Sequence, residues 1–230
     1  MSVSTPFEAE IRDVGRRLRS RIHQLRGNGA EAAMLWAWTV PGWSTKDELR
    51  ALYRAAAGAA GPGDVAEVGS WKGRSTIVLA RALRDAGIAD ARVWAIDHHV
   101  GSDEDEHREI LAREGSTFDA FRANVRASGV GDRIETLVLS SVEGARELAR
   151  RGVTLRMAFI DGAHDVESVR ADLRAFLPLV RAGGLIALHD CEERDASFPG
   201  VWQAYRAVLA DRVDVVEHVD ALLVARRRAG

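Results

Sequence analysis

In this 230-residue chain, polar residues close a series of short apolar runs. They are Glu67 and Gly69 in DVAEVG (64–69), Asp97 in RVWAID (92–97), Ser140–Ser141 after RIETLVLS (133–140), Asp161 in RMAFID (156–161) and His189–Asp190 in GLIALHD (184–190). The first of these continues as DVAEVGSWKGRST, and glycines between a strand and a helix let backbone approach a ligand closely. A phosphate-binding loop needs G-x-x-x-x-G-K-[ST]; here Gly69 and Gly73 are spaced G-x-x-x-G and Arg74 follows. A nicotinamide fingerprint needs G-x-G-x-x-G, and Trp71 stands where the second glycine would admit a pyrophosphate. Glu67 would repel a pyrophosphate and favour a cation, or a ligand carrying amine and hydroxyl donors. S-adenosylmethionine is such a ligand, with a sulfonium, an α-ammonium and a ribose diol. Its carboxylate can be met by Ser75 and helix N-terminal amides. Asp97 suits the ribose hydroxyls, as it would in a dinucleotide enzyme, so the loop and Glu67 discriminate where Asp97 does not.

These side chains need a scaffold. The strand-like runs alternate with amphipathic stretches at Ser75–Ala86, Phe118–Ser128, Val142–Arg151 and Val166–Leu177. That alternation specifies right-handed βαβ units, a parallel sheet with helices on both faces. After a helix near Val201–Ala210, VDVVEHV and ALLVARR are separated by little more than Asp220, which is hairpin spacing. The seventh strand should therefore run antiparallel to its neighbours. In an open sheet of this kind ligands bind beyond the carboxyl ends of the strands, where the polar residues fall.

Residues 1–63 read as an N-terminal helical extension or cap on a domain spanning 64–230. The extension opens with six arginines between Arg12 and Arg26. They form a solvated helix face packed on the domain or on a neighbouring subunit, which leaves a homodimer open. Thr45 followed by Glu48 is a capping box that should start a helix near Lys46. Trp36, Trp38 and Trp43 just before it serve either core packing or the wall of a substrate pocket. The acidic stretch 98–117 reads as a solvated loop, or as a lid whose His98, His99 or His107 meets substrate hydroxyls.

Composition bounds the class. Apolar residues make up 47% and charged residues 29%, and net charge is −2, so no basic field argues for nucleic acid. No apolar run is long enough to span a membrane, and the N-terminal stretch lacks the apolar core of a signal peptide. One cysteine, Cys191, excludes an internal disulfide and is expected to be buried and inert. A cytoplasmic protein is expected.

VAEVGSWKGRST, AIDHH and FIDGAHDVESVRADLRAFLPLVRAGGLIALHD together resemble the class I S-adenosylmethionine-dependent methyltransferases. Within them the chain is similar to the small cation-dependent O-methyltransferases, the group of catechol and caffeoyl-CoA enzymes and of bacterial sugar and macrolide-sugar methylases. The resemblance covers roughly residues 40 to 228. It implies an α/β, Rossmann-like seven-stranded sheet of order 3-2-1-4-5-7-6, in agreement with the terminal hairpin. It puts Glu67, Gly69, Ser70, Gly73 and Ser75 on the donor loop, Asp97 on the ribose acid, Ser141 beside the adenine, and Asp161 at the junction of donor and metal. Asp161 and Asp190 fall on metal-ligand positions, with ordinary helix capping as the plain alternative. His189 stands where the family often has a further oxygen ligand. Imidazole is a poorer partner for magnesium than oxygen, which leaves the third ligand and the choice of Mg2+ or Mn2+ open. His164 occupies the place of the family's general base, a lysine or a histidine, and a near-neutral pKa suits it.

The expectation is a cation-dependent O-methyltransferase acting on a hydroxyl of a sugar, oligosaccharide or glycosylated natural product. A sugar is preferred to a catechol because the loops are rich in His, Asp and Glu while aromatic content is 6%. One alternative is metal-independent transfer to oxygen or nitrogen of a small phenolic or natural-product acceptor, with His164 acting alone. The other is a donor-binding protein without turnover. Intact Glu67, Asp97, Asp161 and His164 argue against it, since a site freed of function has no physical reason to keep them together.

Overall fold

The computed structural model describes residues 6–25, 29–101, 105–193 and 197–229. Helices α1 (Pro6–Leu25), α2 (Gly29–Ala37) and α3 (Lys46–Gly58) precede β1 (Asp64–Val68), α4 (Arg74–Asp85) and β2 (Val93–Ile96). Then follow α5 (Asp105–Glu114), α6 (Phe118–Ser128), β3 (Ile134–Leu137), α7 (Ser141–Arg150) and β4 (Leu155–Ile160). The chain continues through α8 (Val166–Phe176), β5 (Val180–Leu188) and α9 (Pro199–Val208) to the hairpin β6 (Val213–Val219) and β7 (Leu222–Arg227). The strands form one seven-stranded sheet of order β3-β2-β1-β4-β5-β7-β6, parallel except for β7, which is antiparallel to both β5 and β6. This is the topology expected from the sequence.

Burial explains the strand sequences. A sheet covered on both faces has strands that are apolar nearly throughout, and β4 is buried over its whole length. Alternate residues serve opposite faces. Val65, Met157 and Phe159 meet Leu49, Leu52, Ile77 and Leu83 of α3 and α4. Ala66, Ile160 and Leu188 belong to the other core, with Leu148, Leu173, Phe176 and Val201 of α7, α8 and α9. The N-terminal helices share the first core, because Trp36 of α2 and Leu52 of α3 are buried in it.

The capping box forms as expected. Glu48 N donates to Thr45 Oγ1 at 3.2 Å and Thr45 N donates to Glu48 Oε2 at 2.7 Å. The same turn is tied to the β6–β7 hairpin, since Thr45 Oγ1 donates to Asp220 Oδ2 at 2.8 Å and Ala221 N to Glu48 Oε1 at 3.0 Å.

Three segments differ from the sequence reading. Stretch 98–117 is not a continuous loop, since it holds α5. The third strand stops at Leu137 rather than Ser140, because Ser140 N-caps α7 in a capping box with Glu143. The fifth begins at Val180, where Val180 pairs with Leu155, and a register shift before the Met157–Leu185 pair absorbs the residues around Gly183 and Gly184.

Gly69 permits the closest approach in the sheet. Its φ is +84°, and a Cβ there would overlap the Asp161 carbonyl. Gly69→Ala should therefore destabilise the protein by about 2–4 kcal/mol, combining left-handed strain with overpacking. Gly87, at φ +69° with open space around it, meets strain alone, so Gly87→Ala should cost about 1 kcal/mol. Urea unfolding of the two variants checks the difference.

Candidate active site

Register brings the polar residues to one edge. Ile96, Val68, Ile160 and Leu188 are aligned across β2, β1, β4 and β5. The residues that follow them, Asp97, Gly69, Asp161 and His189, therefore leave the sheet side by side. The ladder extends that far: Gly69 N donates to Ile96 O at 3.0 Å, Asp161 N to Val68 O at 2.9 Å and His189 N to Ile160 O at 3.1 Å. Positive φ collects at the same edge, in Trp71 (47°), His99 (58°) and Asp190 (53°). Such conformations cost energy in side-chain-bearing residues and mark functional sites.

Of the donor-loop residues, Gly69, Ser70 and Ser75 line one cleft, together with Trp43, Trp71 and Asp161. Gly73 starts α4 in a left-handed conformation and offers no side-chain cap, so no capping side chain occupies the helix's first amides. Asp97 is aimed by backbone: Trp71 N donates to its Oδ2 at 2.7 Å and His99 N to its Oδ1 at 2.6 Å. Glu67 is fully buried. Its Oε2 accepts from Thr76 Oγ1, while its Oε1, like the buried Ser70 Oγ, has no hydrogen-bond partner in the protein. Burial pushes the Glu67 pKa up to about 8, against the opposing hydroxyls of Ser75 and Thr76. Unmatched buried polar atoms are rare, and these two fit a ligand that brings donors. Ser141 opens α7, and its hydroxyl bonds Asp172 Oδ1. Burial pushes Asp172 up to about 6 although Ser141 opposes it.

Beside the cleft lie the carboxylates and imidazoles. Ligand atoms of Asp161, His164 and Asp190 all fall within 4.8 Å of one another. His164 Nε2 is 3.0 Å from Asp190 Oδ2, and its ring packs against Phe198 with centroids 4.2 Å apart. Helix α8 is capped by Asp165 and α9 has Phe198 at its N-cap. Neither Asp161 nor Asp190 is therefore used as a helix cap. His189 Nδ1 lies 2.9 Å from Asp190 Oδ2 and 3.2 Å from Asp161 Oδ1. Burial opposes charge on its ring, but Asp161, Asp190 and Glu48 outweigh burial and raise its pKa far above the imidazole range. Burial likewise opposes the Asp190 anion, and its bonds to His164 and His189 reverse that, holding it well below the usual carboxylate range.

Sequence reasoning missed one residue here. Glu48 is 2% exposed, and its Oε2 lies 3.1 Å from His189 Nε2 across 141 positions of sequence. Burial would raise its pKa, but His189 and the amides of Thr45 and Ala221 hold it below the usual value. The capping-box motif was the only local signal, and it accounts for the helix start without this contact.

The histidines of stretch 98–117 divide. His99 is buried, its Nδ1 3.0 Å from Thr117 Oγ1 and its ring centroid 5.1 Å from those of Phe118 and Phe121. Burial lowers its pKa despite Asp97, and it holds the loop together rather than facing solvent. His98 is about half exposed, with Nδ1 3.9 Å from Asp97 Oδ1. The side chain of His107 and residues 102–104 lie outside the described residues, as does Arg26. The tryptophans divide as well. Trp36 is core, Trp38 lies under Arg74 and Lys46, and Trp43, 48% exposed, pairs with Trp71 at 5.2 Å on the cleft. Cys191 is buried, its thiol pushed up to about 12 by burial with Asp190 adding to it.

Residues 66–191, more than half of the chain, match the family described as a methyltransferase domain. The chain belongs to that family and is a methyltransferase. Solved structures share the fold. Cofactor-bound Rv0187 from MTB is 25% identical, with 87% of this chain and 88% of that one covered and a TM-score of 0.59. The O-methyltransferase TomG from Streptomyces achromogenes, in complex with SAM, is 20% identical (81% and 82% covered, TM-score 0.60). CalS11, described as a TDP-rhamnose 3'-O-methyltransferase in calicheamicin biosynthesis, is 22% identical (77% and 76% covered, TM-score 0.55).

Glu67 sets a pH dependence. Its folded pKa is raised, so the unliganded protein binds this proton more tightly than the unfolded chain does. Stability is lost as pH rises from the ordinary value of 4.5 through about 8. Glu67→Gln should therefore raise Tm by several degrees at pH 8, a gain that shrinks toward zero near pH 4.5, read by thermal melts without ligand.

Proposed function

We propose that this methyltransferase moves the methyl group of S-adenosylmethionine to a hydroxyl of a sugar or glycosylated natural product, with Mg2+ or Mn2+ held between Asp161 and Asp190. One observation carries the reading: Asp161 lines the cleft of the glycine loop and also belongs to the cluster of Asp161, His164 and Asp190. Glu67, Ser70 and Ser75 with the amides of α4 take the methionine end, Asp97 takes the ribose diol, and Ser141 lies beside the adenine. The relative TomG is in complex with SAM, which supports the donor. Two carboxylates with imidazole nearby form a donor set that fits Mg2+ or Mn2+. Asp161 and Asp190 would hold the ion, with His189 or His164 adjoining.

Bound there, the cation supplies a lowered pKa for a chelated hydroxyl, and the donor supplies an electrophilic methyl carbon. His164 would take the hydroxyl proton on its ring as oxygen attacks that carbon, whose bond to sulfur breaks so that S-adenosylhomocysteine leaves. Trp43 and Trp71 wall the cleft and keep water out. The acceptor named for CalS11, a sugar nucleotide, supports a saccharide here, as do the polar loops. No helix among the described residues is long and apolar enough to cross a membrane, and a cytoplasmic setting fits the lone cysteine.

Calorimetry should detect S-adenosylhomocysteine binding, with Asp97→Ala weaker by about 1.5–3 kcal/mol. Absent donor binding, or tight NAD binding, would end this reading. Turnover should stop in chelator and return with Mg2+ or Mn2+, whereas full turnover by metal-free enzyme would favour metal-independent transfer. His164→Ala should lose about 10²–10⁴-fold in kcat while binding donor nearly as well as the wild type. Wild-type turnover in that variant would remove His164 as the base.

A further inference from the structure

We infer that Arg74 is a binding residue of the cleft: its guanidinium receives the carboxylate at the amino-acid end of the donor. The inference rests on the donor reading above and deepens it. That end of S-adenosylmethionine is a zwitterion, an ammonium and a carboxylate on one carbon. The residues lining the cleft carry one anion, Asp161, and one cation, Arg74. Asp161 suits the ammonium, and the carboxylate needs the cation. Ser70 lines the same cleft. It is 1% exposed, and its Oγ has no hydrogen-bond partner in the protein. A buried hydroxyl left in that state fits a polar ligand group arriving beside it.

The contacts of Arg74 hold its side chain without neutralising it. Arg74 opens α4 directly after Gly73, and its guanidinium meets the N-terminal extension. Nε donates to Val40 O at 2.7 Å and Nη1 to Ser44 O at 3.3 Å. Gly42 lies against the same group, where a Cβ would stand 3.1 Å from Nε. The ring of Trp38 is 4.9 Å from Cζ. All of these partners are uncharged, and among the described residues no carboxylate pairs with Arg74. Burial, with the Arg16 charge adding to it, brings its pKa down to about 10, so it stays cationic at neutral pH. The two bonds to carbonyls use two of its five N–H groups. A cation partly withdrawn from water and lacking a counter-ion makes charge-assisted bonds to an arriving carboxylate. The planar fork of arginine lets one side chain hold two carbonyls and still face a ligand, which the point charge of lysine does less well. Arg74 thereby joins the donor loop to the segment that carries Trp43.

Calorimetry with two ligands tests this: S-adenosylhomocysteine, and its decarboxylated form, which keeps the amine. Wild type should bind S-adenosylhomocysteine about 10–100-fold more tightly than the decarboxylated form. Arg74→Met should lose about 10–100-fold in affinity for S-adenosylhomocysteine while binding the decarboxylated form as wild type does. Arg74→Lys, which restores the charge without the fork, should recover part of that loss. If Arg74→Met does not fold, Arg74→Gln, which keeps an N–H for the carbonyls and drops the charge, is read in the same way. A loss shared equally by both ligands would mean that Arg74 serves only the cleft wall. That result, equal wild-type affinity for the two ligands, or unchanged S-adenosylhomocysteine binding in the uncharged variant would overturn the inference while leaving the donor reading intact. Wild type that binds neither ligand would overturn both together.

Discussion

The in-register pairing of β2, β1, β4 and β5 is the constraint on which the site depends. Because Ile96, Val68, Ile160 and Leu188 share one row, the carboxylate of Asp97, the glycine loop, Asp161 and His189 emerge together. A one-residue slip of any strand would turn its polar end toward a core face. Gly69 makes the tightest part of this arrangement, with φ +84° and no room for a side chain against the Asp161 carbonyl. The glycine is thus required by the meeting of two strand ends, one belonging to the donor cleft and the other to the acid cluster.

The chemistry proposed for this edge is bought with local instability. Glu67 is buried with one oxygen unmatched and a pKa pushed up to about 8. Trp71, His99 and Asp190 hold left-handed backbone just beyond the carboxyl ends of β1, β2 and β5. A core built for stability alone would place an apolar side chain at 67, where Val65 and Phe159 already line the same face. Around His189 the opposite solution is seen, since Glu48, Asp161 and Asp190 surround one buried imidazole and share its charge.

The parallel sheet, its antiparallel last strand and the strand-end residues were legible because alternating apolar runs and helical stretches specify right-handed crossovers, whereas the strand order came from the resemblance to class I methyltransferases. Helices α2 and α5 were not legible. GAEAAMLWA is apolar nearly all round, with five of its nine residues buried, so no helical period stands out. DEHREILARE is mostly charged and carries only Ile110 and Leu111 as a run of large apolar residues, so it reads as a loop. Asp97, Asp161 and Asp190 could be placed from sequence because each closes a strand. Glu48 could not: its local pattern is fully explained by a helix cap, and its contact with His189 exists only because α3 packs against the hairpin. His99 shows the reverse error, a histidine in a polar stretch whose ring is buried between two phenylalanines. The tryptophans followed neither simple rule, for Trp36 serves the core while Trp43 stands at the cleft.

The central claim is that donor and cation meet at this strand-end edge, and a crystal structure grown with S-adenosylhomocysteine and Mn2+ tests it most directly. The account predicts the ribose on Asp97, the amino-acid end along the loop from Glu67 to Ser75, and an anomalous Mn2+ peak between Asp161 and Asp190. An empty cleft, a donor bound elsewhere, or an anomalous peak away from those two carboxylates would contradict it.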